Sequence, residues 1–165
     1  MKQFFAGFTS AVRAVVYVLT VVSGLGILFM MGVTCADILL RIAGHPIVGA
    51  YDIVKITGAI SMGCALPYTT AVKGHVAIEF LFQKMSRPWR ILVDTIARLL
   101  SMSLFGLLTW RCIEYGKALR LSGEATATLE IPTFWILYVM AFSCGVVVLI
   151  IFDHMIHPGK EMIKP

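Results

Sequence analysis

Four long apolar stretches alternate with short polar segments along the chain, at about residues 14–38, 53–72, 91–112 and 132–152. A helix that crosses the hydrocarbon core of a bilayer needs roughly 20 mostly apolar residues. Each stretch meets that length, and the connectors are too short to form a separate folded unit. The pattern therefore predicts an all-α membrane protein, one domain over 1–165, with four transmembrane helices.

The connector after the second apolar stretch contains a shorter apolar segment. Residues 75–86, which follow Gly74, mix apolar side chains with glutamine and lysine. A segment this short cannot span a bilayer, whereas an amphipathic helix can lie in the headgroup layer. We therefore expect one interfacial helix at about 75–86. Tryptophan and tyrosine are enriched at membrane interfaces, so we expect Trp89, Trp135 and Tyr138 to be interface anchors.

Small side chains recur at every fourth position of the second apolar stretch, at Thr57, Ser61 and Ala65. Small residues on one helix face allow two helices to approach closely in lipid. This pattern predicts that the second helix packs against another helix, and Pro67 is expected to kink it near its end.

Two pairs of opposite charges accompany the predicted helices. Asp52 and Lys55 are three residues apart at the start of the second helix, and Asp94 and Arg98 are four apart in the third. These spacings place both members of a pair on one helix face. Charges inside a span are costly unless they are paired, extend toward the headgroups, or face other protein. For Asp94 and Arg98, three interpretations stay open. The two side chains pair with each other while Arg98 extends toward the headgroups, or they contact a partner helix, or they form a proton relay.

The composition agrees with a membrane protein, since 59% of the residues are hydrophobic and only 14% are charged. Soluble domains are about a quarter charged. We attribute the net charge of +5 to membrane orientation rather than to nucleic-acid binding, because cytoplasmic segments are enriched in lysine and arginine. The termini and the middle connector carry more basic residues than the other two connectors, which predicts that both termini are cytoplasmic. The richer group is Lys2, Arg13, Lys73, Lys84, Arg87, Arg90, Lys160 and Lys164.

Few residues suggest chemistry. The four cysteines form no C-x-x-C motif, and the four histidines fall outside the predicted spans, so neither a disulfide oxidoreductase nor a bis-histidine haem is expected. His154 and His157 have a metal-compatible spacing, but a solvated tail explains them better. We found no nucleotide-binding or nucleophile motif. We therefore expect no enzyme activity, no catalytic residues, no metal and no cofactor. The first apolar stretch is too long for a cleaved signal peptide, so we expect it to be retained.

Several motifs follow one another in a recognisable order. Asp37 and Arg41 end the first apolar stretch, and residues 44–52 read G-x-P-I-x-G-A-x-acid. Residues 73–81 read KGHVAIEFL, and residues 129–132 read L-x-I-P. In these features the chain resembles the small membrane subunit, or Q subunit, of tripartite ATP-independent periplasmic (TRAP) transporters.

The most specific part of the resemblance is the G-H-V-x-[IV]-[DE] motif at residues 74–79, which includes Gly74, His75 and Glu79. One departure precedes the second span, where family members often carry tryptophan and paired glutamates and this chain has Ala-Tyr-Asp at 50–52. That difference bears on a partner contact rather than on the family.

The resemblance implies a function in a bacterial or archaeal inner membrane. The Q subunit does not itself carry substrate, but binds a large multi-spanning subunit that moves organic acids by an elevator motion driven by sodium. A periplasmic substrate-binding protein delivers the substrate. The small subunit is then a static scaffold that helps to dock that protein, in contact with membrane lipids, and sodium binds in the large subunit. The candidate interface or scaffold residues are Asp52, Lys55, Gly74, His75, Glu79, Asp94 and Arg98.

Two alternatives need no such partner. The chain could be a stand-alone four-helix membrane transporter or a lipid-binding protein, with the charges of the third span as a substrate site. A redox membrane anchor is the weaker alternative, and it would show a haem or quinone spectrum. Retention of a large membrane protein on purification distinguishes the subunit from both.

Overall fold

A computed structural model describes residues 2–72 and 87–156 as helices and connectors. The prediction of an all-α protein is confirmed. The expected interfacial helix at 75–86, with Gly74, His75 and Glu79, lies outside these residues, and so that hypothesis stays a prediction. The described helices are α1 (Lys2–Ile42), α2 (Ala50–Ala71), α3 (Arg87–Ser122) and α4 (Phe134–Ile156).

Within the described residues, three helical segments are long and apolar enough to cross a membrane: Thr9–Ile42, Thr95–Ser122 and Phe134–Asp153. The second helix, α2, has 22 residues and is therefore about 33 Å long, enough to span the hydrocarbon core. It does not meet the same apolarity criterion, because charged, hydroxyl and glycine residues dilute its aliphatic ones. Three helices can thus cross a membrane by their length and composition, and the fourth span stays a prediction.

The helices pack in the spatial order α1, α2, α4, α3, with a small additional contact between α1 and α4. The core cluster lies where α1, α2 and α4 meet, and it includes Val16, Cys64 and Ile150, which are almost fully buried. At one end of the bundle, the Thr9 hydroxyl donates a hydrogen bond to the buried carboxylate of Asp153 over 3.1 Å, which joins α1 to α4.

Small residues permit a close approach between α1 and α2. A Cβ atom added to Gly26 would overlap the Ser61 hydroxyl. One turn earlier, the Ser23 hydroxyl donates a 2.8 Å hydrogen bond to the Ser61 carbonyl. Ser61 therefore contacts α1, as the small-residue pattern in α2 predicts.

Helix α3 continues without a break beyond the predicted third span, 91–112. With 36 residues it is about 54 Å long, well beyond the roughly 30 Å hydrocarbon core. Its last three turns carry exposed Arg111, Glu114, Lys117 and Arg120. The polar residues that follow the third apolar stretch thus extend the same helix. It ends at Ser122, where Gly123 takes a φ of +69°, as is common after a helix.

Candidate functional site

The connectors 43–49 and 123–133 lie together at one end of the bundle, which we call the hairpin end. The first connector joins α1 to α2, and the second joins α3 to α4. Hydrogen bonds from the second connector reach the first turn of α2. The hairpin end is therefore a point at which both helix pairs are joined.

The second connector is a small hydrogen-bonded hairpin rather than an open loop. Ala125 and Pro132 form an antiparallel β-bridge. The Thr126 amide donates to the Ile131 carbonyl over 3.0 Å, and the Ile131 amide donates back to the Thr126 hydroxyl over 3.1 Å. Because Pro132 takes part in this bridge, α4 begins two residues after it, at Phe134, and not at the predicted residue 132.

Asp52 is the residue that connects this hairpin to α2. Its Oδ2 atom accepts hydrogen bonds from the backbone amides of Thr128, at 2.8 Å, and Leu129, at 3.0 Å. The Thr126 hydroxyl donates a further hydrogen bond to the same carboxylate. Asp52 is only 3% exposed, so its carboxylate is enclosed by the hairpin that it binds.

The environment of Asp52 favours the ionised carboxylate. The amide of Thr128, then that of Leu129, holds the pKa of Asp52 below its usual 3.8, and these hydrogen bonds outweigh the opposing effect of burial. Asp52 precedes the predicted span 53–72 and lies in the first turn of α2, where a helix end also favours negative charge. Lys55, the partner expected from spacing, contributes only a weaker Coulombic attraction.

The lowered pKa predicts how the hairpin responds to pH. A carboxylate whose pKa is lower in the folded state stabilises that state above its unfolded pKa, and loses this effect as the pH falls through its folded pKa. The unfolded value is near 3.8. We therefore expect the protection factors of the Thr128 and Leu129 amides to be unchanged between about pH 5 and pH 8. Hydrogen exchange corrected for intrinsic rates measures this, and a loss of protection near neutral pH would contradict it.

A backbone contact adds to the hydrogen bonds of Asp52. Gly49, the residue before α2, has a φ of +82°, a left-handed conformation that costs little only for glycine. A Cβ atom at Gly49 would lie 2.5 Å from Cγ of Leu129. The hairpin therefore packs directly on the backbone of the first connector, and Gly49 permits both the turn and the contact.

The first connector is held by a second aspartate. Asp37, near the end of α1, accepts a hydrogen bond from the Ile47 amide over 2.9 Å with Oδ1, and one from Arg41 over 2.8 Å with Oδ2. The Asp37–Arg41 ion pair spans one helical turn, and its arginine is mostly exposed. Each connector at the hairpin end is thus fixed by a carboxylate that accepts backbone amides.

The other charge pair lies far from this site. Asp94 and Arg98 are one turn apart in α3, and Arg98 is about 36 Å along the helix axis from its end at Ser122. Trp89 lies in the first turn of the same helix. The structure therefore places the segment 94–98 of α3 far from the hairpin end, where Asp52 and Lys55 lie.

The two aromatic anchors predicted in α4 are partly buried near the hairpin end. Tyr138 packs edge-on against Phe134, with ring centroids 6.2 Å apart. A Cβ atom at Gly116 of α3 would lie 3.3 Å from the Tyr138 ring. Tyr138 therefore contributes to the contact between α3 and α4, and roles for Trp135 and Tyr138 as interface anchors stay predictions.

Sequence reasoning selected Asp52 but not the residues it binds. Thr128 and Leu129 donate through backbone amides, which leave no pattern in a sequence. The one available signal was Gly49 directly before the helix, since glycine often marks a left-handed turn.

A protein-family model matches most of the chain. Residues 30–159 match the model of the family described as "Tripartite ATP-independent periplasmic transporters, DctQ component". The matched region contains α2, α3, α4 and the last part of α1, and so includes the whole hairpin end. No curated protein and no solved structure matches the chain.

Proposed function

The chain belongs to the DctQ component family of TRAP transporters, and on that premise we propose that it is the static scaffold of a sodium-driven transporter for organic acids. As a small permease component, it is an integral protein of the inner membrane. Its family works with a large membrane subunit and a substrate-binding protein in a tripartite system. The finer proposal is that α2 is a fourth span, that both termini are cytoplasmic, and that the hairpin end helps to dock the binding protein.

The observation that carries this proposal is the enclosed carboxylate of Asp52. It joins the first turn of α2 to the hairpin between α3 and α4, while Asp153 and Thr9 join α4 to α1 at the opposite end. A subunit that stays fixed while a neighbour slides gains rigidity from hydrogen bonds between its helices at both ends of the bundle. These hydrogen bonds are stronger away from bulk water, because fewer water molecules compete for the same donors and acceptors.

The position of the hairpin end supports a docking role. If both termini are cytoplasmic, the ends of α1 and α3 and the starts of α2 and α4 face the periplasm. Tyr51 and Val48, both 76% exposed, protrude from this end, and Glu124 and Glu130 of the hairpin are exposed as well. A rigid surface with aromatic, apolar and charged side chains is suited to binding a folded protein.

The exposed faces of the long helices support association within the membrane. Helix α3 carries exposed Leu100, Leu104 and Leu107, and α1 carries a comparable apolar surface around Leu25 and Leu28. Apolar helix surface in a bilayer contacts lipid or another subunit. We propose that the large subunit covers part of this surface and that membrane lipids cover the remainder.

The orientation can be tested by labelling. In a variant whose four native cysteines are replaced by serine, we expect Glu124→Cys to react with a membrane-impermeant maleimide added to intact spheroplasts. The matched Lys164→Cys variant, in the sequence that follows α4, is expected to react only after the membrane is opened. The reverse pattern would contradict cytoplasmic termini and would exclude docking of a periplasmic protein at the hairpin end.

A further inference from the structure

We infer that Asp52 is a positioning residue for docking, and that it acts through the hairpin 123–133 rather than by touching a partner protein. This inference rests on the proposed function of the hairpin end. It differs from the expectation that Asp52 contacts another subunit, because the residue is 3% exposed and its carboxylate is already used by Thr128, Leu129 and Thr126.

The tip of the hairpin depends on Asp52 for its hydrogen bonds. The hairpin's internal bonds use the amides of Thr126, Glu130, Ile131 and Thr133. The amides of Thr128 and Leu129 donate instead to Asp52. Backbone amides that lose their acceptor have to find another or turn toward water. Without the carboxylate, the tip would therefore change its conformation.

The backbone of the hairpin also requires support from outside. Glu130 has a φ of +51°, a conformation that L residues other than asparagine and aspartate seldom adopt. Its amide bonds to the Thr126 carbonyl at 3.2 Å, and its neighbour Leu129 is fixed by Asp52 and by the backbone of Gly49. Release of Leu129 removes the constraint that keeps Glu130 in this conformation.

The exposed side of the hairpin is the part that a binding protein can reach. The side chains of Glu124, Thr128 and Glu130 are exposed there, whereas Thr126 is buried against α2. A surface that already has its binding conformation avoids the entropy cost of becoming ordered when a partner binds, and its affinity is higher for that reason. Asp52 thus maintains the docking conformation from the buried side.

The test is transport by the complete complex in liposomes, measured while the concentration of the binding protein is varied. If only 10–20% of the hairpins stay in the docking conformation in Asp52→Ala, the half-saturating concentration of binding protein rises about 5–10-fold. The maximal rate is expected to stay near that of the wild type. Hydrogen exchange of the same complex is expected to show lost protection at Thr128 and Leu129.

Two further variants and one control keep the test decisive. Asp52→Asn keeps a side-chain oxygen acceptor but lacks the negative charge, and we expect it to raise the half-saturating concentration less than Asp52→Ala does. It provides the test if the complex with Asp52→Ala does not assemble. Thr126→Val removes the hydroxyl that donates to Asp52 and accepts the Ile131 amide, so it weakens the hairpin on both sides and is expected to raise the half-saturating concentration as well. The control Asp37→Ala removes the carboxylate of α1 that holds the first connector, and it is expected to leave hydrogen exchange in the hairpin unchanged.

The outcomes separate the inference from the proposed function on which it rests. A fluorophore at Glu124→Cys, in a complex that keeps Asp52 and has the four native cysteines replaced by serine, reports whether the binding protein reaches the hairpin at all. If the wild type gives no signal, the docking role of the hairpin end is wrong. If the wild type does give a signal, and Asp52→Ala loses hydrogen-exchange protection at Thr128 and Leu129 while the half-saturating concentration stays unchanged, the inference is overturned. A fall in maximal rate alone would also overturn it, since that is the effect of a purely structural residue.

Discussion

We expect Gly49→Ala to destabilise the hairpin end more than a glycine-to-alanine substitution at any other position in the two connectors. A left-handed conformation costs an L residue about 1–2 kcal/mol, and the backbone of Gly49 has a φ of +82°. The new Cβ atom would also lie 2.5 Å from Cγ of Leu129, and such overpacking adds about 1–3 kcal/mol. Together these effects predict a loss of about 2–5 kcal/mol in the free energy of unfolding, measured by thermal unfolding in detergent.

Gly44 provides a matched control in the same connector. It has a φ of +83°, but a Cβ atom there would have no atom within 4 Å. Gly44→Ala therefore adds the conformational cost without the collision, and we expect it to be the milder variant. Removing the obstructing side chain in Gly49→Ala/Leu129→Ala is expected to recover part of the loss. Equal destabilisation by Gly44→Ala and Gly49→Ala would contradict a tight contact between the connectors.

Replacing Gly26 with valine is expected to separate α1 from α2. Even a single Cβ atom at this position would overlap the Ser61 hydroxyl, and valine adds two more methyl groups with a stiff side chain. The helices would have to move apart, which breaks the hydrogen bond from Ser23 to the Ser61 carbonyl. Overpacking of a close helix contact costs about 1–3 kcal/mol and occasionally more. We expect a lower unfolding midpoint and a smaller yield of folded protein in detergent.

Gly24 and Gly32 are controls on the same helix. A Cβ atom at either position has no atom within 4 Å, so valine there changes helix propensity without obstructing α2. The comparison isolates the contact from the general effect of valine in a helix. If Gly24→Val lowered the unfolding midpoint as much as Gly26→Val, close approach at Ser61 would not explain the effect.

The helical architecture and one packing face were accessible from the sequence, because both follow from local repeats. Apolar stretches of spanning length predicted the helices, and the four-residue recurrence that includes Ser61 predicted a close helix contact. The side of α1 that meets Ser61 was not predicted. Several glycines of α1 have similar sequence surroundings, and only the three-dimensional crossing distinguishes Gly26 from Gly24.

The hairpin end could not be derived in the same way. Asp52 is 76 residues from Thr128 in the chain, and its ligands are backbone amides that any residue except proline provides. Spacing alone therefore favoured Lys55 as its partner. The apolar pattern likewise predicted that the last helix begins at about residue 132, but the bridge of Pro132 with Ala125 delays the start of α4. In both cases a tertiary hydrogen-bond network decided between arrangements that local rules permit equally.

The lower apolarity of α2 has a physical explanation in its surroundings. Helix α2 packs against both α1 and α4, and it buries Ser61, Gly63 and Cys64. A helix enclosed by other helices needs less aliphatic surface than one that faces lipid, since neighbouring backbones and hydroxyl groups replace the lipid contacts. The position of α2 between its neighbours thus accounts for its composition, and it supports the proposal that α2 is the fourth span.

The most direct test of the proposed scaffold function is the mass of the particle that this chain forms in detergent. The tagged chain is expressed together with its genomic neighbours, purified, and weighed by native mass spectrometry or by light scattering corrected for detergent. We expect a stable one-to-one complex with a large, many-spanning membrane protein. A chain that emerges alone, folded and monodisperse, would contradict a scaffold function and would favour a stand-alone transporter, with Asp94 and Arg98 as the first residues to test.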